Sequence, residues 1–213
     1  MYLSRIILDD RRRDTMRALA YPAVFHGAVS KTFAGGDHPL WRIDYLHGQC
    51  LMLLLSREMP DLALLQEQFG RSDTTPATRK YDSFLSDIAS GQCWQFRIKA
   101  NPVRQKAQRE RGRGRIYAHV TTEQQKEWLM SRAEANGFAL SSDAFDVIDT
   151  RWYRFGRQDT HRGGKNAVTM RTATFEGVLT VTDAEHFRQA LTQGIGREKA
   201  YGCGLLTIMR AGH

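Results

Sequence analysis

Eight cationic side chains and a single acid lie between Arg97 and Arg115, and these residue types suit contact with a phosphate backbone. Guanidinium groups pair with phosphate oxygens, and counterions released from a nucleic acid supply affinity. Gathering so many like charges is costly unless an anion meets them, so we favour nucleic-acid contact over a solvated, mobile loop. The candidate side chains are Arg97, Lys99, Arg104, Lys106, Arg109, Arg111, Arg113 and Arg115.

A second basic segment runs from Arg151 to Arg171 and contains the pair Gly163-Gly164. We predict that it is a hairpin tip between two strands. Double-stranded RNA has a deep, narrow major groove lined with phosphates, which a protruding basic hairpin could follow. A DNA-binding ribbon is the rival interpretation, and the residues alone do not separate the two. The candidate side chains here are Arg154, Arg157, Arg162 and Lys165.

A glycine-rich segment, GIGREKAYGCGLL, extends from Gly194 to Leu206. It is neither a dinucleotide fingerprint, because Lys199 stands where a third glycine is needed, nor a P-loop, because no GK[ST] occurs. Glycines allow backbone N–H groups to approach phosphates closely, although many such loops are only turns. The candidates for phosphate contact are Gly194, Gly196, Arg197, Lys199, Gly202 and Gly204.

His26 lies one residue from Phe25, at the edge of an apolar helical stripe. A histidine in such a place is more often structural than catalytic. The histidines show no spacing with Cys, Asp or Glu that would bind a metal, and no clustered carboxylates suggest a two-metal nuclease. Any RNA cleavage is therefore expected to proceed without a metal or other cofactor, by attack of a ribose 2′-hydroxyl with general acid–base assistance.

The composition favours a polyanionic partner in a reducing compartment. Lys plus Arg number 31 against 23 Asp plus Glu, which gives a formal charge of +8, so nucleic acid is the first expectation and an acidic membrane the second. Three widely separated cysteines argue against a disulfide framework. The N-terminus does not have the pattern of a signal peptide, and the run Cys50 to Leu55 is too short to cross a bilayer, so we expect a cytoplasmic protein.

The hydrophobic pattern predicts two α+β units, over residues 1–82 and 83–213. The first shows the order strand, helix, strand, strand, helix, which is most of a ferredoxin-like unit. Its helix is predicted from Pro22, since proline is favoured in the first turn. The second unit begins with a strand whose cations alternate with apolar residues, so that one face would pack while the other presents Arg97 and Lys99.

Several segments together resemble the CasE family of CRISPR-associated endoribonucleases, which process repeats in the type I-E Cascade complex. They follow the family's order over nearly the whole chain, and the ANP box and the terminal glycine loop are specific in combination. The matching segments are MYLSR at the start, the helix of His26 with Lys31, LWRID at 40–44, FRIKANPVR at 96–104, FEGVLTVTD at 175–183 and GIGREKAYGCGLL at 194–206.

The resemblance implies two tandem ferredoxin-like (RRM-like) domains with antiparallel sheets. It also implies one cleavage at the base of each repeat hairpin, a 2′,3′-cyclic phosphate and a 5′-hydroxyl as products, and retention of the mature crRNA within Cascade. His26 falls on the family's catalytic histidine, Lys31 on a position that contacts the RNA backbone, and the Arg154 to Lys165 tip on the element that enters the major groove.

The chain departs from this pattern at Ala23, where the family places a tyrosine that assists proton transfer. Tyr21 lies nearby across Pro22 and is our candidate replacement. A non-catalytic module that binds RNA hairpins is the main alternative function, and a basic DNA-binding or ribosome-associated protein is a third. Neither a membrane nor a small-molecule cofactor is expected as a partner.

Overall fold

The first half of the chain forms a four-stranded antiparallel sheet in the order β2-β3-β1-β4. This order, with two crossovers that contain helices, is the ferredoxin-like topology that the sequence predicts for the first unit. The elements are β1 (Tyr2–Leu8), α1 (Arg13–Ala20), α2 (Pro22–Lys31), β2 (Leu40–Leu46), β3 (Gln49–Ser56), α3 (Ala63–Phe69), β4 (Ala77–Lys80) and α4 (Asp82–Ser86).

The computed structural model describes residues 1–33, 38–106, 115–158 and 165–210. Four candidate cations, Arg109, Arg111, Arg113 and Arg162, lie outside these ranges. For four more candidates, the backbone is described but the side chain is not: Lys106, Arg115, Arg157 and Lys165. Within the described ranges, no helix combines the length and the apolar character that crossing a bilayer requires.

Local sequence signals position the elements of the first half. His47 and Gly48 join β2 to β3 with positive φ values of 49° and 73°, a two-residue turn that matches the twist of paired strands. Pro22 is the first residue of α2, as predicted. The sequence analysis missed α1, which ends at Ala20, so that Tyr21 alone separates two consecutive helices.

The second half repeats the topology in a larger sheet. Its strands follow the order β11-β5-β10-β8, and β9 also pairs with β10, so both halves are ferredoxin-like and antiparallel as predicted. The strands and helices are β5 (Cys93–Ala100), β6 (Val103–Lys106), β7 (Arg115–Ala118), α5 (Thr122–Ala133), β8 (Phe138–Ala139), β9 (Phe145–Gln158), β10 (Lys165–Val181), α6 (Ala184–Gln193) and β11 (Leu206–Met209). Two short 3-10 helices, Glu134–Asn136 and Lys199–Tyr201, complete this half.

Polar side chains define where the helices of the second half begin. The Thr121 hydroxyl accepts a hydrogen bond from Gln124 N at the start of α5. The Asp183 carboxylate accepts bonds from the N–H groups of Glu185 and His186 at the start of α6. Thr and Asp are among the side chains favoured at this position, and each satisfies backbone donors that would otherwise lack a partner within the helix.

A buried arginine joins the two halves. Arg42 on β2 is 1% exposed, and its guanidinium forms a two-point ion pair with Asp44. It also donates to the carbonyl oxygens of Arg97 and Leu205 at 2.7 and 2.8 Å and to the Thr207 hydroxyl at 2.8 Å. Because these acceptors lie on β5, on β11 and just before β11, this one side chain bonds directly to both halves.

Candidate functional site

His26 lines a cleft of about 820 Å³ to which both halves of the chain contribute. Phe25 and Val29, on the same helix, are buried in the core of the first half. Each residue advances about 100° around a helix axis, so His26 emerges half-buried beside that stripe, as the spacing predicts. The cationic or titratable nitrogen-bearing side chains that line the cleft are His26, His38, Arg57 and Lys199.

Neighbours on two different elements contact the His26 imidazole. Ser30 lies one turn further along α2, and its hydroxyl oxygen is 3.5 Å from His26 Nδ1, a long hydrogen bond whose donor depends on the tautomer. The Tyr201 ring meets the imidazole in an edge arrangement, with centroids 5.9 Å apart and an interplanar angle of 74°. An imidazole is the side chain most often used as a general acid or base, and its place in the cleft makes His26 a candidate for that role.

Lys199 brings a positive charge from the second half into the same cleft. Its Nζ donates to the carbonyl oxygen of Gln193 at 2.6 Å, at the C-terminal end of α6. A cation there also interacts favourably with the helix dipole. Partial burial lowers the pKa of Lys199, because desolvation disfavours the charged form. The structure therefore brings together His26 and Lys199, two residues that the sequence analysis singled out separately.

The glycines of the Gly194 to Leu206 loop have a packing role within the chain. Gly202 has φ 78°, and a Cβ there would lie 2.7 Å from the Trp41 ring. The N–H groups of Gly194, Gly202 and Gly204 donate to carbonyl oxygens of Ala190, Lys199 and Lys99. These three N–H groups are therefore already engaged within the chain, and contact of their residues with RNA stays a prediction. Gly196 and Arg197 are exposed, and their contact with RNA stays a prediction.

The prediction that β5 presents its cations to solvent is wrong for Lys99, which is buried, whereas Arg97 is half-buried. Arg97 pairs with Glu176 and lies 3.6 Å from the Asp44 carboxylate. Lys99 is buried, and its Nζ donates to the Tyr153 hydroxyl at 3.1 Å. The physical reason is that acceptors on neighbouring strands, Glu176 on β10, Tyr153 on β9 and Asp44 on β2, lie within reach of these cations. Lys99 therefore belongs to the interior, and Arg97 is half-buried and ion-paired.

The remaining described candidates lie at the surface. Arg104 on β6 and Arg154 on β9 are exposed, as the basic segments predict. Lys31 is exposed at the end of α2, and Tyr21, 48% exposed, precedes that helix. Neither Lys31 nor Tyr21 is among the described residues that line the cleft of His26, so their roles at the scissile phosphate stay predictions.

Sequence reasoning missed Tyr201, His38 and Arg57 as neighbours in this region. Tyr201 lies inside the glycine-rich segment, where only glycines and cations were considered. His38 and Arg57 belong to none of the segments that the sequence singles out, and only the fold brings them to the cleft. Ala23, where the resemblance leads one to expect a tyrosine, packs against a cluster that contains Tyr153 and Tyr201. An aromatic ring in edge contact with His26 thus comes from the loop that contains Tyr201 rather than from the helix of His26.

Comparison with known proteins identifies relatives over the whole chain. The sequence profile of the family described as CRISPR associated protein matches residues 1–210. The chain is 27% identical to the CRISPR-associated endoribonuclease Cse3 of Thermus thermophilus over 219 residues, 98% of this chain and 99% of that protein. It is also 30% identical to the Cascade subunit CasE of Escherichia coli over 120 residues, 53% of this chain and 56% of that protein.

Solved structures show the same architecture. The structure of Cse3 bound to 19 nt RNA superposes with a TM-score of 0.79 and 26% identity, covering 98% of this chain and 100% of that one. The crystal structure of Cas6e from Escherichia coli has a TM-score of 0.61 at 23% identity and covers 99% of this chain and 100% of that one. Both comparisons agree with the tandem ferredoxin-like topology of the two sheets.

Proposed function

The chain belongs to the CRISPR-associated protein family, and from this premise we propose that it is an endoribonuclease that cuts the repeat hairpin of CRISPR precursor RNA at its base. It binds the hairpin, cleaves once and retains the mature crRNA as a subunit of Cascade. One observation carries the proposal: the chain matches Cse3 from end to end, including an RNA-bound structure, and places His26 in a cleft with Lys199 and Arg57.

The proposed reaction is an intramolecular transesterification. The ribose 2′-oxygen forms a bond to the adjacent phosphorus and loses its proton, while the bond from phosphorus to the 5′-oxygen breaks and that oxygen gains a proton. The products are a 2′,3′-cyclic phosphate and a 5′-hydroxyl. His26 supplies the proton to the departing oxygen or exchanges it with the attacking hydroxyl, and positioned acid–base groups of this kind contribute about 10²- to 10⁴-fold.

We propose that no metal takes part in this step. The mechanism needs only a proton-transfer group and cations around the phosphate, and His26 with Lys199 and Arg57 offer those functions. Among the residues that the structure describes, no group of three or more His, Cys, Asp or Glu side chains is arranged to hold a metal ion. Tyr21 stays a candidate assistant because this residue directly precedes the helix that carries His26.

The proposed RNA surface combines the described exposed cations with the basic hairpin β9–β10. Lys31, Arg104, Arg154 and Arg197 are exposed and contact the backbone of the repeat. The basic tip between β9 and β10 enters the major groove of the stem.

We further propose that the chain divides into two domains, residues 1–82 and residues 83–213. We also propose that it acts in the cytoplasm together with the other Cascade subunits.

The test is to incubate the purified protein with the repeat RNA of its own organism, with and without EDTA, and to map both product ends. We expect one cut per repeat, a 2′,3′-cyclic phosphate upstream, a 5′-hydroxyl downstream and no loss of activity with the chelator. Activity abolished by EDTA would overturn the metal-free step, whereas tight binding without any cut would favour the non-catalytic hairpin-binding module.

His26→Ala sharpens this test, with His186→Gln as the matched control. His186 is exposed on α6, where it pairs with Asp183 rather than lining the cleft, so its loss tests the general effect of removing an imidazole. We expect His26→Ala to bind the hairpin as wild type does and to lose the cleavage that acid–base catalysis supplies. Equal activity of His26→Ala and wild type would remove His26 from the mechanism.

A further inference from the structure

A small aromatic cluster connects the basic hairpin to the helix of His26. Its buried members are Tyr153 and Phe155 on β9, Met170 on β10 and Tyr201 in the terminal loop, and Ala23 of α2 packs against it. Since β9 and β10 are the strands that carry the basic tip, the cluster lies between the RNA-binding hairpin and the first turn of α2.

Tyr201 is the member of this cluster that touches the imidazole. Its ring centroid lies 5.9 Å from that of His26 at an interplanar angle of 74°, and 4.9 Å from that of Phe155 at 72°. Both distances fall in the range in which edge-to-face ring contacts are favourable. One ring thus contacts the proton-transfer group on one side and a strand of the hairpin on the other.

Hydrogen bonds and close packing hold the backbone around Tyr201. The residue ends the 3-10 helix Lys199–Tyr201, its N–H donates to Glu198 O at 2.9 Å, and both Glu198 and Gly202 have positive φ. Gly202 lies so close to the Trp41 ring that an added Cβ would approach it within 2.7 Å. The loop is therefore held against the core of the first half, with the Tyr201 side chain directed at α2.

We propose that Tyr201 is a positioning residue that fixes the orientation of the His26 imidazole in the cleft through its ring. A histidine side chain rotates about two bonds, and a contact on the ring restricts that rotation. Displacing a reacting group by about 1 Å can cost about 100-fold in rate, so a fixed imidazole matters. Because the cluster also includes both hairpin strands, it holds the proton-transfer group in a constant relation to the bound RNA. This inference rests on the proposed ribonuclease activity.

The variants Tyr201→Phe and Tyr201→Leu test the proposal under single-turnover conditions with excess protein. Tyr201→Phe keeps the ring, so we expect its cleavage rate to stay within about twofold of wild type. Tyr201→Leu removes the ring contact, and we expect a loss approaching the roughly 100-fold cost of a misplaced group, with the dissociation constant of the hairpin within about threefold of wild type. In Tyr201→Leu, the cleavage rate is thus expected to fall while the affinity for the hairpin stays close to that of wild type.

Phe138→Leu is the matched control for the loss of a buried aromatic ring. Phe138 and Phe187 make a similar edge contact, at 5.8 Å and 65°, in the core of the second half and away from the cleft. We expect this variant to lower thermal stability while keeping the wild-type cleavage rate at a temperature well below its unfolding transition. Equal rate losses in Phe138→Leu and Tyr201→Leu would show a general effect on folding and overturn the proposal.

A second measurement does not depend on cleavage. In the proton NMR spectrum, the imidazole protons of His26, assigned by their absence in His26→Asn, should show a ring-current shift in wild type and in Tyr201→Phe that is lost in Tyr201→Leu. Unchanged His26 signals in Tyr201→Leu would overturn the contact, and a Tyr201→Phe rate as low as that of Tyr201→Leu would assign the role to the hydroxyl instead. If wild type fails to cut the repeat RNA at all, the proposed function fails independently of this contact.

Discussion

The burial of His26 is set by its local sequence, whereas its contacts in the cleft are set by the fold. The spacing of Phe25 and Val29 predicts that His26 emerges half-buried at the edge of an apolar stripe, and the structure confirms this. The contacts of the imidazole with Tyr201 and the approach of Lys199 could not be predicted, because they depend on how the last loop of the chain packs against α2.

At the scale of one residue, we predict that Lys199→Gln weakens hairpin binding by about tenfold and reduces the magnitude of the salt slope by about one. Glutamine retains a donor for the carbonyl oxygen of Gln193, so the end of α6 should keep its hydrogen bond while the positive charge is lost. Binding measured at several salt concentrations checks this. An unchanged slope would show that Lys199 serves only the end of the helix.

At the scale of an element, β5 shows the limit of alternation as a guide to exposure. The pattern of Trp94, Phe96 and Ile98 correctly predicts a strand with one buried face. It does not reveal what covers the other face. Arg97 pairs with Glu176 on β10 and Lys99 donates to Tyr153 on β9, so strands of the same sheet supply partners for both cations.

The two kinds of cation should therefore respond differently to substitution. Lys99→Met removes the hydrogen bond to the buried Tyr153 hydroxyl, and we expect a loss of about 1–3 kcal/mol in the free energy of unfolding with little change in the salt slope of RNA binding. Arg154→Ala removes an exposed cation from β9 and should weaken RNA binding with little change in stability. Thermal denaturation and salt-dependent binding of both variants provide the check, and a reversed pattern would contradict these assignments.

Elements with strong local signals were predicted well, and those fixed by distant contacts were not. The residue types at Thr121, at Asp183 and at His47-Gly48 suit the two N-caps and the turn that the structure shows there. Helix α1 was not predicted, because the charged run Asp9 to Arg13 indicates a break after β1 and the helix begins only at the end of that run. The glycine loop was interpreted as a phosphate contact, although Gly202 is needed for its close approach to Trp41.

At the scale of the whole molecule, the cleft exists only because the two halves keep a fixed relation. His26 comes from the first half and Lys199 from the second. The buried guanidinium of Arg42 contributes to that relation by bonding with Asp44 on its own strand and with acceptors on the other sheet. Leu40 and Leu55 extend the apolar contact between the halves, since both belong to the core cluster of the second half.

We predict that Arg42→Met lowers the free energy of unfolding by about 3–5 kcal/mol, because it leaves the Asp44 carboxylate buried without its two-point partner. Cleavage should fall together with stability, since the cleft depends on both halves. Calorimetry checks the first expectation and single-turnover cleavage the second. Arg71→Met is the control: it breaks an exposed pair with Asp73, and we expect it to leave both quantities unchanged.

A double variant distinguishes the loss of the Arg42 hydrogen bonds from the cost of leaving the Asp44 carboxylate buried without its partner. If the cost of Arg42→Met comes mainly from the Asp44 carboxylate, then Arg42→Met combined with Asp44→Leu should be more stable than Arg42→Met alone. A double variant that is less stable than either single variant would instead indicate that Asp44 has an essential second partner in Arg97, which lies 3.6 Å away.

Two of the groups that Arg42 reaches on the second sheet are main-chain oxygens, those of Arg97 and Leu205. A carbonyl is present whatever side chain its residue carries, so mutations that change residue type at 97 or 205 leave these acceptors in place. Arg42 has no comparable freedom, because few side chains extend as far with several donors in a plane. During evolution, the side chains at 97 and 205 are therefore free to change with respect to this contact, whereas Arg42 is constrained. Relatives that differ at many positions are expected to keep the same arrangement of the two sheets on either side of the cleft.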